Sequence, residues 1–155
     1  MHRQGSAVIA LSIVAGSVSC NGNPLGPAES ELAHAAARWS AAGPASYDFD
    51  VQVSCFCLAT TFGTVTVSVR NHEVMSVVRA DSGTTVDSLD FQSVLTVDRM
   101  FATEQGYLDR KPASFRADYD ANLGYPTLVS VDPSARVADD EYSFQVLGLR
   151  AFLPP

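Results

Sequence analysis

Along residues 47 to 57, YDFDVQVSCFC, the chain alternates without a break. Tyr47, Phe49, Val51, Val53, Cys55 and Cys57 fall on one side, and Asp48, Asp50, Gln52, Ser54 and Phe56 on the other. A period of two predicts a β-strand with one apolar and one mostly polar face. The period recurs in GTVTVSVRNHEVMSVV, where Val65, Val67 and Val69 alternate with Thr and Ser. Asn71-His72 interrupts that run and predicts a tight turn, because Asn tolerates the left-handed backbone such turns require. Elsewhere the spacing becomes three and four. Leu32, Ala35, Ala36 and Trp39 share one face of a helix predicted over Pro27 to Ser40, opened by Pro27 and closed by Gly43. After a linker holding Asp81, Ser82 and Gly83, Val97, Met100, Phe101 and Leu108 mark a second helix. Thr96 is its expected cap, and Gly106 weakens its last turns. Three more strands are expected at Ser114 to Asp120, Thr127 to Asp132 and Glu141 to Leu147. The predicted order is helix, three strands, helix, three strands: an α+β fold with helices packed on an antiparallel sheet.

The N-terminus follows a different logic. MHRQGSAVIALSIVAGSVSC has a short basic head at Arg3, an apolar middle from Ala7 to Val14, and small residues before Cys20. That layout predicts an export signal over residues 1–19. The uncharged run from Gly5 to Ser19 is shorter than the roughly 20 residues that span a bilayer. Cys20 invites lipidation, since SVSC resembles a lipobox, although Ser17 stands where that pattern has an aliphatic residue. Ser17 and Ser19 also suit ordinary signal cleavage, so plain secretion is the alternative. Residues 20–27 then form a Gly/Pro-rich tether, and residues 28–155 a single α+β domain. The whole chain carries a formal charge of −7, and loss of Arg3 with the signal makes it one unit more negative. Scattered basic residues with one lysine, Lys111, argue against nucleic acid, whose phosphates require clustered Lys and Arg.

Several stretches in order carry a family resemblance: the signal, then RWSAAGPASYDFDVQVSCFC, VTVSVRNHEV, TVDRMF, YDANLGYPTLVSVDP and ADDEYSF. Together they resemble the bacterial exported proteins grouped as Domain of Unknown Function 6174. Members commonly have Gly in the turn where this chain has His72. The resemblance implies an envelope-associated α+β module and supplies no activity.

Candidate chemistry begins with Cys55 and Cys57. In a regular strand two residues advance about 6.6 Å, the upper end of what a disulfide tolerates. A bond between them therefore needs a bulge or a buckled strand end. Exported proteins oxidise paired thiols, which makes a structural Cys55–Cys57 disulfide the expectation. Reduced core cysteines and a thiol-disulfide oxidoreductase are the alternatives, though Ser54, Phe56 and Leu58 supply no charge to activate a thiolate. A zinc site lacks further ligands. DYDANLG, residues 118 to 124, resembles the opening of a calcium loop and suggests a calcium-dependent binding module as another alternative. It departs from that pattern at Leu123 and has no Glu at the twelfth position. The competing reading is a hairpin turn built from Asp120, Asn122, Gly124 and Pro126. Asp139-Asp140-Glu141 reads as a solvated loop, and His72 as a solvated turn residue.

No G-x-S-x-G, phosphate loop or H-E-x-x-H is present, and no catalytic residue, metal or cofactor is assigned. Expected instead is a lipid-anchored envelope module that works by binding. Its partner is an envelope protein or small ligand, and it touches membrane through the anchor alone. Asp120, Asn122 and Tyr125 form the candidate binding surface, Tyr being favoured where large contact area is wanted at small entropic cost; the alternative is that Tyr125 folds back to cap the core.

Overall fold

The computed structural model describes residues 26–56 and 63–152. The signal, Cys20, the tether up to residue 25 and Cys57 lie outside the described residues. The elements run α1 (Pro27–Ala42), β1 (Tyr47–Cys55), β2 (Thr64–Arg70), β3 (Glu73–Arg79), a 3-10 segment (Ser88–Val94), α2 (Val97–Asp109), β4 (Ser114–Tyr119), β5 (Pro126–Asp132) and β6 (Tyr142–Ala151). The chain is α+β. Six strands form one antiparallel sheet in the order β3-β2-β1-β6-β5-β4.

Each half of the chain makes a three-strand meander, and the halves join where β1 pairs with β6. The first and last strands are therefore the central ones. The apolar sides of β1 and β2 (Tyr47, Phe49, Val51, Val53, Val65, Val67, Val69) pack with Val129, Val131, Phe144 and Val146 under the helices, all buried. α1 contributes Leu32, Ala35 and Trp39, and α2 contributes Val97, Met100, Phe101 and Leu108.

Local chemistry sets the element ends. Asn71 and His72 have φ of 50° and 67°, the left-handed pair that lets β2 turn into β3 in two residues. Thr96 Oγ1 accepts the Arg99 N–H at 3.1 Å, and the buried Tyr47 hydroxyl accepts the Val97 N–H at 3.2 Å. Two orphan donors at the start of α2 are thus satisfied, one of them from the sheet. α1 ends where Gly43 takes extended backbone, its N–H donating to the Trp39 carbonyl; the position lies against the Trp39 ring, where a Cβ would collide.

Two differences from the sequence reading have clear causes. The expected linker before α2 contains the 3-10 segment, which buries Phe91 and Val94. Its capping residue is Asp87, whose carboxylate accepts the Leu89 N–H. Secondly, β6 runs on to Ala151, beyond the expected Leu147. A register shift opposite Asp50 and Val51 leaves Leu147 outside the pairing and brings Leu149 opposite Phe49. That shift breaks the simple alternation on which the sequence reading depended.

Candidate functional site

With both helices on one face, the other face of the sheet presents the polar half of each alternation. Along β1 it holds Asp48, Asp50, Gln52 and Ser54. Thr64, Thr66 and Ser68 lie beside them on β2, and Gln145 and Ser143 on β6. Asp50 is the best-organised group there. Arg150 donates to both of its oxygens, at 2.8 and 3.2 Å, and the Thr66 hydroxyl donates at 2.7 Å. Arg150 stands directly opposite Asp48 in the register but reaches diagonally to Asp50. The hydrogen bond from Arg150 holds the Asp50 carboxyl below its ordinary range. Arg70 takes Asp48 instead, at 2.8 Å, and its guanidinium lies 4.1 Å from the centre of the Phe152 ring. Two acid–base pairs thus straddle the β1–β6 seam and the β1–β2 pair.

At the far end of β1 the same face meets a shallow groove of about 230 Å³. Ser54, Phe56, Ser130, Asp139, Glu141 and Ser143 contribute to its lining. Ser54, Ser143 and Ser130 lie directly across three neighbouring strands, so their hydroxyls form one row. Phe56 is 84% exposed beside it. Cys55 reaches the groove as well, and it is half-buried and engaged rather than free.

The hairpin from Asp118 to Pro126 was the candidate surface, and its residues are now placed. Asp120 accepts the N–H groups of Asn122 and Leu123 at 3.0 and 2.7 Å, while its own N–H and carbonyl bond Tyr125 and Gly124. Its carboxylate therefore shapes the turn. Asn122 is exposed. Tyr125 turns its ring edge-on to Trp39, 6.5 Å between centroids, and is half-buried. Asp118 pairs with Arg116 at 2.9 Å. The structure thus brings Asp120 and Tyr125 together as a latch on α1. Among the described residues, no three His, Cys, Asp or Glu side chains are grouped so as to hold a metal ion. His72 sits exposed in its turn, where its N–H donates to the Ala45 carbonyl.

One chemically unusual residue escaped the sequence reading. Glu104 of α2 is fully buried; its Oε2 accepts the Tyr119 hydroxyl at 2.6 Å, and its Oε1 has no hydrogen-bond partner among the described residues. Burial pushes its carboxyl up to about 7, against the lowering effect of the Tyr119 bond. Burial and the Glu104 charge together push Tyr119 up in turn. The signal was present in the sequence. Val97, Met100, Phe101, Glu104 and Leu108 all fall on one helical stripe, so a carboxylate occupies an apolar position.

Residues 31–151 match the family of unknown function DUF6174, and the chain belongs to that family. Among curated proteins, none matches the chain.

Proposed function

We propose that this protein is an exported module, anchored by lipid on Cys20, that works by binding an envelope partner. The observation that carries the binding role is the uncovered polar face of the sheet, with Asp50 and Arg150 at its centre. Helices cover one side of the sheet, and the other side combines fixed donors and acceptors with exposed Gln52, Gln145 and Leu147. An ordered lattice of this kind suits a polar protein surface, because its groups are held in place before contact and lose little freedom on binding. The signal layout and the Gly/Pro-rich stretch after Cys20 support an anchored position. No helix of the described residues is long and apolar enough to cross a membrane.

Cys55 and Cys57 are proposed to be joined as a structural disulfide that finishes β1 beside the groove. The support is the engaged, half-buried state of Cys55 and an exported setting. The hairpin of Asp120, Asn122 and Tyr125 is proposed to act mainly in holding the fold, with Asn122 alone fully presented to solvent.

The test uses the full chain expressed in a bacterial envelope. Gln52→Arg adds bulk and charge to the open face without touching the core. Cross-linked partners should be lost while the melting temperature stays within a few degrees. Retention of every cross-linked partner sinks the face as a binding surface. Cys20→Ala should release the protein from membranes or leave it unprocessed; a processed Cys20→Ala protein that remains membrane-bound refutes the anchor.

A further inference from the structure

The two edges of the sheet are not alike. On the β3 edge, Arg79 N–H donates to the Thr84 carbonyl, Val86 N–H donates to the Val77 carbonyl, and Val78 bridges Thr85, so the chain following β3 covers the last part of its own strand, Val77 to Arg79. Among the described residues, the β4 edge has no such cover. Among the described residues, none beyond β5 and the hairpin exchanges backbone hydrogen bonds with Ser114–Tyr119. An open row of backbone donors and acceptors is a template for another strand.

The side chains on β4 specify which strand fits. On the open face it carries Arg116 and Asp118, paired with each other at 2.9 Å and with 70% and 49% of their side chains exposed. On the helix-covered face it carries Phe115 and Tyr119, both half-buried. Ala117 lies between. An antiparallel copy of the same strand, centred on Ala117, sets Arg116 opposite Asp118 of the second chain and Asp118 opposite its Arg116. The same register sets Phe115 opposite Tyr119 and continues the aromatic flank of the core across the junction. Opposite charges and aromatic pairs facing each other across antiparallel strands are favourable, and like charges are not. Edge charges commonly serve to repel further strands. Here the order of charges does the reverse for one partner, a second copy of itself.

We infer that β4 is a self-pairing edge through which two copies of this chain form a twofold dimer with a continuous sheet. The existing Arg116–Asp118 bond is a solvent-exposed pair that contributes little to the monomer, so exchanging it across the interface loses little. A six-residue ribbon buries less than the roughly 1,000 Å² typical of stable association, so the dimer is weak and forms at high local concentration.

Sedimentation of the full chain, in density-matched detergent, tests this between about 10 µM and about 1 mM. Wild type should shift from monomer to dimer across that range. Arg116→Glu leaves only acidic groups on the row and Asp118→Lys only basic ones, so each variant alone should dimerise at least about tenfold more weakly. An equal mixture of the two should recover the dimer, because each then opposes the other's charge. Both positions are exposed, so circular dichroism should show unaltered folding. A wild-type chain that stays monomeric throughout overturns the inference. So does a dimer untouched by Arg116→Glu, or a mixture no more associated than its components.

Discussion

Glu104 shows how a single side chain can set the response of the protein to pH. Its carboxyl is buried in an apolar stripe, with one oxygen bonded to Tyr119 and the other without a hydrogen-bond partner among the described residues; burial outweighs the Tyr119 bond, so the neutral form is favoured. The folded-state value of about 7 stands above the ordinary 4.5. A raised folded value means that the folded state holds the proton more tightly. Stability from this group is therefore fully present below about 4.5 and lost as pH rises through about 7. The whole effect is on the order of 3 kcal/mol. Glu104→Gln removes the titration, so its melting temperature should exceed that of wild type at pH 8 and vary less between pH 4.5 and 8. Equal pH profiles for the two proteins refute this account. Tyr119→Phe removes the hydrogen bond that favours the carboxylate, so it should move the midpoint of the wild-type profile upward. A midpoint moved downward contradicts that role.

At the level of elements, what was legible followed from local period. The alternation of β1, the stripe of α1 and the Asn71-His72 turn each depend on residues close in sequence, and each is found where the sequence places it. The 3-10 segment was not legible, because Phe91 and Val94 are too few to display a period. A folded-back Tyr125 was one reading of the sequence, but that the Asp118–Pro126 hairpin latches onto α1 was hidden, since it depends on contact between distant segments. Its two closest points are testable. Gly124 has φ +85°, and an added Cβ there collides with the Ala35 carbonyl oxygen of α1. Gly124→Ala should cost about 3 kcal/mol, from backbone strain and displacement of the helix. Tyr125→Ala removes the ring set against Trp39 and should cost about 2 kcal/mol, read as a lowered urea midpoint. A Tyr125→Ala protein as stable as wild type would mean that the ring is free for recognition, one of the two readings its sequence context allows.

At the scale of the whole molecule, the decisive feature is the pairing of the first strand with the last. Nothing in a local pattern announces that β1 and β6 are neighbours, and Asp50 and Arg150 lie 100 residues apart in sequence. Their ion pair marks the seam without holding it. Arg150 is more than half exposed, so a double-mutant cycle on the pair should give at most about 1 kcal/mol. The seam is held instead by the ladder from Tyr47 to Cys55 and by Phe144 and Val146, buried against Val51 and Val53. This arrangement makes the domain one cooperative unit even though its strands form two local meanders. Without β6, β1 gains an open edge, and β5 loses the strand that connects it to the first half. What remains would be a three-stranded sheet of β1 to β3 and a two-stranded hairpin of β4 and β5, each with part of its apolar face exposed. Ending the chain after Asp140 should therefore abolish the cooperative melting transition, whereas Asp50→Ala with Arg150→Ala should leave it intact. Loss of cooperativity in that double variant would transfer the seam's stability to the ion pair. A truncated chain that still melts sharply would show that β1 to β5 form a stable core and that the closing strand is dispensable.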